Sequence, residues 1–164
     1  MLFRSPDDPR KATTVTSYLA LSAPDLSGVP EGIAAIVLYA LLGLVLMVLA
    51  FYVIDWTTPG KLRDFVRGGY PNAALITSSG LLAMALVVVV AIWQSFGDLG
   101  TGLATAAIYG VVGIVVQALA VRFLELVVNI NIGESLKREA FTSEAWVVAG
   151  AHVAIGLVVA ASIS

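Results

Sequence analysis

Ile33-Ala-Ala-Ile-Val-Leu-Tyr-Ala-Leu-Leu-Gly-Leu-Val-Leu-Met-Val-Leu-Ala-Phe-Tyr-Val-Ile54 runs without an Asp, Glu, Lys or Arg. A helix rises about 1.5 Å per residue and the hydrocarbon core of a bilayer is about 30 Å thick, so a stretch of this length crosses it. The centre of the run, Leu41–Leu49, shows no alternation of apolar and polar residues. A membrane β-strand alternates. In lipid the backbone must pair its own N–H and C=O groups, which leaves helix.

Three further stretches have the same character: about Ala73–Phe96, Leu103–Val121 and Ala145–Ile163. Each is apolar nearly all round, as expected of a helix facing lipid or other helices. The segments between them are polar. Asp55–Asn72 carries Pro59-Gly60 and Gly68-Gly69 as breakers, Asp98–Gly102 is a tight turn, and Glu125–Glu144 is the second long connection. The expected fold is all-α: a polytopic membrane protein with a polar tail over residues 1–30 and two transmembrane hairpins, 31–97 and 98–164.

Composition agrees. Of 164 residues, 59% are hydrophobic and 12% charged, against about 45–50% and about 25% in soluble domains. So few charges leave too little polar surface to cover a globule in water. A net charge of −2 argues against nucleic acid as a partner. The absence of cysteine excludes disulfides and thiolate metal sites. In the tail, Tyr18–Ala23 is shorter than the apolar core of a signal peptide. The tail reads as polar and partly disordered, or as a short surface helix.

Lys and Arg in short loops set orientation. Lys61, Arg63 and Arg67 lie in the first long loop, and Lys137 and Arg138, with Arg122 just before, in the second. The middle turn has none. Both long loops are therefore expected in the cytoplasm of a cell (plasma) membrane, in the manner of a bacterial inner membrane, with both termini outside. Arg4, Arg10 and Lys11 oppose this, but from about 20 or more residues before the first span, at the edge of the rule's range. Tyr52, Trp56 and Trp146 mark one border and Trp93 and Phe96 the other, the depth that aromatic rings with a polar tip prefer.

The halves resemble each other. Asp55 and Asn129, Leu62 and Leu136, and Arg63 and Lys137 share one offset, and a two-residue gap then aligns Asn72-Ala73 with Glu144-Ala145. Two spans per copy make the copies parallel, related by an axis along the membrane normal. The stretch Phe51-Tyr52-Val53-Ile54-Asp55, then Thr58-Pro59-Gly60-Lys61-Leu62, then Gly69-Tyr70-Pro71-Asn72-Ala73-Ala74 resembles the YjfL-like membrane proteins, domain of unknown function 350. Their pattern is a span ending near Asp, a Thr-Pro-Gly turn, a short amphipathic segment, a Gly-Asn-x-Ala opening and a second span, twice per chain. The resemblance covers about Ile33 to the C-terminus. It implies the duplicated-hairpin architecture and carries no activity. The second copy departs more, with Asn129 for the acid, Ile132-Gly133 for Pro-Gly and Ser143-Glu144 for Gly-Asn.

Few residues carry chemistry. Asp55 ends the first span, where it reaches water, binds a cation or pairs with Arg63 or Arg67. Arg122 and Glu125 are spaced i, i+3 and meet on one helix face. They form an ion pair, or a cation site or gate. His152, the single histidine, lies at membrane depth, where ionisable groups face an interior or a water path. It is a packing residue or a pathway residue. Gln94 and Gln117 are placed to hydrogen-bond across helices. Ser79/Ala83, Ala106/Gly110 and Gly150/Ala154, with Gly80, Gly113 and Gly156, give small faces for close packing. Lys61–Val66 reads as a short helix on the membrane surface with its basic groups on anionic lipid, and Ser135–Phe141 as a weaker one.

No catalytic triad, phosphate loop or metal motif is present. No enzyme activity, metal or cofactor is expected. The expected function is a small oligomeric membrane protein of ion-channel or transporter type. The alternative is a non-catalytic accessory subunit of a larger envelope or membrane-stress complex. The expected partners are the lipid bilayer and either further copies or other membrane proteins. Because the first copy keeps the Asp55 and Pro59-Gly60 pattern, its loop is the first place to look for recognition.

Overall fold

The structure is a computed structural model describing residues 28–58, 60–95, 97–128 and 132–164. The expectations placed on residues 1–27, Pro59, Phe96 and Asn129 lie outside the described residues. The elements are α1 (Val29–Thr57), α2 (Leu62–Arg67), α3 (Pro71–Trp93), α4 (Leu99–Val128), α5 (Ile132–Ser135) and α6 (Ser143–Ile163). The described residues contain no strand. Among the described residues, four helices are long and apolar enough to cross a membrane.

The helices overrun the apolar stretches. α1 continues to Thr57, where the Thr57 and Thr58 hydroxyls donate back to the Val53 and Ile54 carbonyls. α4 runs on to Val128 through the Arg122–Glu125 pair. α3 stops at Trp93, sooner than expected, because Ser95 Oγ donates to the Ile92 carbonyl and Gly97 takes a φ of +131° that turns the chain. The second loop helix is Ile132–Ser135, earlier than the expected Ser135–Phe141. Each half thus runs long helix, loop helix, shorter helix. At about 1.5 Å per residue α1 and α4 are each about 44 Å long, while α3 and α6 are each about 33 Å.

Ile36–Ser164 form one compact unit, and the packing described here is that of this unit. α3 and α6 make the most extensive interhelical contact. They run in the same direction, out from the long-loop end. α3 is the most enclosed span, with 44% of its central stretch buried against 11% for α1. The two helices touch backbone to backbone: a Cβ on Gly156 would lie 2.7 Å from Ala83 Cβ and 2.8 Å from Ala83 Cα. α4 packs antiparallel against both. A Cβ on Gly113 would overlap Val87, and one on Gly110 would lie 2.6 Å from Leu46 Cδ1 of α1. Close approach through small residues is the usual basis of packing in lipid, where helices gain little from burial itself. Gly150 differs from the other expected packing glycines: among the described residues, nothing beyond its own helix backbone lies within 4 Å of where its Cβ would be.

The long loops fold onto the same end of the bundle. Leu62 and Leu136, paired by the shared offset, are both fully buried. α2 is therefore anchored to protein by Leu62, not simply laid on the membrane, while Lys61, Arg63 and Arg67 stay exposed. Lys137 and Arg138 are exposed too.

Candidate functional site

Asn72 joins the two loops. It is fully buried at the start of α3. Its Nδ2 donates to the carbonyls of Ala140 at 2.9 Å and Ser135 at 3.0 Å, with Arg138 at 3.4 Å, and its Oδ1 accepts from Thr142 N at 3.1 Å. One amide side chain of the first half thus holds the 135–142 loop of the second. Thr142, so placed, caps α6 by accepting from Ala145 N.

A polar cluster lies deeper. His152, on α6, is 6% exposed, and Gln117, on α4, is 1% exposed. Gln117 Nε2 donates to the His152 backbone carbonyl at 3.1 Å. That contact fixes the amide's orientation, since a flipped amide would set oxygen against oxygen. Gln117 Oε1 is then buried with no hydrogen-bond partner among the described residues. Ser79 Oγ donates to the Ile76 carbonyl at 2.9 Å and lies 3.3 Å from His152 Nδ1. A hydroxyl has one proton. In the tautomer in which Ser79, its proton spent on Ile76, accepts from Nδ1–H, Nε2 of the neutral ring is an acceptor. The ring fits there because Gly80 has no side chain; a Cβ would meet Nδ1 at 3.4 Å.

Gln117 and His152 line a cavity that Ile54, Ile76, Gly80, Met84 and Ile132 wall with apolar surface. It extends past Val121 to the half-buried Thr57, Thr58 and Glu125 at the long-loop end. Gln117, Val121 and Glu125 follow at i, i+4, i+8, one face of α4 over about 12 Å. The space open to the centre of a water molecule is about 20 Å³, room for one water or little more. Glu125 is held by the Arg122 guanidinium, three residues before it.

The other expected candidates lie elsewhere. Asp55 is absent from this lining and borders a shallow surface groove with Tyr52, Trp56 and Lys61. Its Oδ1 accepts from the Arg63 backbone N–H at 3.3 Å, not from the guanidinium. It caps α2 from outside, where Lys61 offers no side-chain cap. Gln94 ends α3 at the opposite end of the bundle. The described residues hold no group of three His, Asp or Glu side chains able to bind a metal. Sequence reasoning treated Asn72 as a span boundary and Ser79 as a small packing residue. Nothing local marks either one, because their partners lie 63–73 residues away.

A sequence profile for the Domain of Unknown Function (DUF350) matches residues 27–163. The chain is 32% identical over 150 residues to a UPF0719 transmembrane protein of Mycolicibacterium paratuberculosis, covering 90% of this chain and 99% of that one. It is 33% identical over 140 residues to UPF0719 transmembrane protein Mb2631 of Mycobacterium bovis, covering 85% and 92%. UPF0719 transmembrane protein MT2674.1 of Mycobacterium tuberculosis matches to the same extent. No solved structure matches. With four helices fit to span a membrane, and a match reaching from the first span to the last, this chain is a multi-pass membrane protein belonging to the DUF350 family.

Proposed function

We propose that the protein is a small, non-enzymatic channel or transporter component that takes a water-sized species from the long-loop side into the bundle, and that it works as an oligomer. The observation that supports this most is the cavity from Glu125 to Gln117 and His152. Polar groups at membrane depth are costly and usually serve a water or ion path. The cavity ends within the bundle, and four spans are too few to enclose a through-path, so a second copy supplies the remaining wall. By the loop charges the cavity opens to the cytoplasm of a cell membrane, with both termini outside.

The halves are read as a parallel duplication in which the second copy carries the site. The 74-residue offset that relates Asp55 to Asn129 also relates Gly43 to Gln117 and Phe51 to Glu125, and the 72-residue offset of the span openings relates Gly80 to His152. Gln117, Glu125 and His152 thus stand where the first copy has glycine or an aromatic. This moves attention from the first loop to the second hairpin.

Flux of protons and of monovalent cations into liposomes holding the full chain tests the reading. Flux that Gln117→Leu abolishes supports it. No flux of any of these ions by the native protein overturns it. A second reading, an accessory subunit, is favoured by α1, whose Ile36, Leu41, Leu44 and Val45 are all exposed. A stoichiometric partner of different sequence after purification in mild detergent supports that alternative, and a symmetric homo-oligomer supports the first.

A further inference from the structure

We propose that Gln117 and His152 form a binding site for one water-sized hydrogen-bond donor, water or ammonium ion. The proposal takes its location from the cavity reading above, but it does not depend on flux. A buried acceptor without a partner keeps the whole cost of its lost hydration, so one that persists in a tightly packed bundle calls for a donor. Gln117 Oε1 is such an acceptor, on a side chain lining the cavity. His152 lines the same cavity, and in the tautomer whose Nδ1–H donates to Ser79 its Nε2 is a second acceptor. Thr57 and Thr58 spend their protons on the Val53 and Ile54 carbonyls, so their oxygens offer lone pairs too. The lining is therefore rich in acceptors and short of donors.

This chemistry narrows the ligand. An anion would need donors, and among the described residues no Arg or Lys lines the cavity. Calcium takes six to eight oxygen ligands, and magnesium demands an oxygen octahedron; this lining offers a single carboxylate, Glu125. An imidazole nitrogen suits a hydrogen-bond donor better than an alkali ion, which prefers oxygen throughout. The volume admits one species of water's size. Water and ammonium share that size and both donate hydrogen bonds; ammonium brings a charge as well.

Because His152 is the single histidine, nitrogen-15 labelling of histidine reads this ring alone. The test is solid-state NMR on the full chain in phosphatidylethanolamine/phosphatidylglycerol vesicles, about two pH units above the ordinary histidine pKa so that the ring is neutral. The expected result is the Nδ1–H tautomer with an Nε2 resonance shifted upfield by a hydrogen bond. If the shift is present without ammonium and added ammonium chloride leaves it unchanged, the donor is water. If ammonium chloride moves it saturably and sodium chloride does not, the donor is ammonium. Both outcomes support the site. An Nε2–H tautomer, or an Nε2 resonance of a free acceptor that ammonium does not move, overturns it. The native protein alone decides this. Gln117→Met is expected to change the Nε2 shift, and Ser79→Ala to release the tautomer, each in protein that retains its helical circular dichroism. A bound donor without flux would leave the site standing and remove the transport reading, while flux through a protein with a free Nε2 would do the opposite.

Discussion

Gly156→Ala adds one methyl group at the tightest point between α3 and α6. The new Cβ would stand 2.7 Å from Ala83 Cβ, 2.8 Å from Ala83 Cα and 3.0 Å from Ala83 O. Ordinary contact begins near 3.4 Å, so the helices must part by about 0.7 Å, and two of the three atoms met are backbone, which no rotamer change relieves. Overpacking of this kind costs about 1–3 kcal/mol. In lipid the loss extends along the interface, because helix association there rests on packing itself. Ser79 and His152 sit one turn nearer the loops on the same two helices, so the Ser79–His152 contact at 3.3 Å lengthens with the separation. Gly150→Ala is the matched control: it lies on the same helix, no other described side chain stands within 4 Å, and replacing a helix-interior glycine is neutral or gains up to about 1 kcal/mol. Unfolding equilibria in mixed micelles measure both. The expected result is a destabilised Gly156→Ala beside a neutral or stabilised Gly150→Ala. Equal effects, or a stabilised Gly156→Ala, would refute the close crossing.

Asn72→Ala removes the hydrogen bonds to three carbonyls and one N–H of the second loop. A loss of about 2–4 kcal/mol is expected from several buried groups left unpaired, read as faster protease cleavage between Leu136 and Phe141. The Arg122–Glu125 pair is partly exposed, so Arg122→Ala is expected to change stability by less than about 1 kcal/mol in denaturant titration. Asp98 caps the middle turn: its carboxylate accepts from the Thr101 hydroxyl at 2.6 Å and from the Thr101 and Gly100 backbone N–H groups. The Thr101 hydroxyl first, then these N–H groups, hold its pKa below the ordinary 3.8. A depressed folded-state pKa means the stabilisation is fully present above the unfolded value and is lost as pH falls through the folded one. Amide resonances of Gly100 and Thr101 should therefore titrate together below pH 3.8, and Asp98→Asn should abolish the transition.

The four spans were legible because length and apolarity are properties of a continuous stretch. Their ends were less so: Thr57, Thr58 and the Arg122–Glu125 pair carry helix past the apolar run by local hydrogen bonding that hydropathy ignores. Arg122 with Glu125 was readable because i, i+3 proximity is built into one helix. His152 and Gln117 stood out as polar groups at depth, but their meeting depends on how α4 crosses α6. Asp55 was conspicuous by its place in the motif, yet its carboxylate caps a loop helix. The loop contact of Asn72 and the space that Gly80 leaves for the imidazole join residues more than 60 positions apart. A single sequence carries no signal for such distant pairs.

The central claim is that a polar cavity runs from the long-loop end to Gln117 and His152. The chain has no cysteine, so single cysteines can be placed on an otherwise unreactive protein and challenged in oriented vesicles with a membrane-impermeant thiol reagent. Thr58→Cys, half-buried at the cavity's long-loop end, should react when reagent meets the long-loop side and be spared from the other. Leu119→Cys, on the exposed lipid-facing surface of α4, should stay unmodified from both. If Thr58→Cys is as inert as Leu119→Cys, or reacts only from the side of the middle turn, the cavity does not open at the long-loop end.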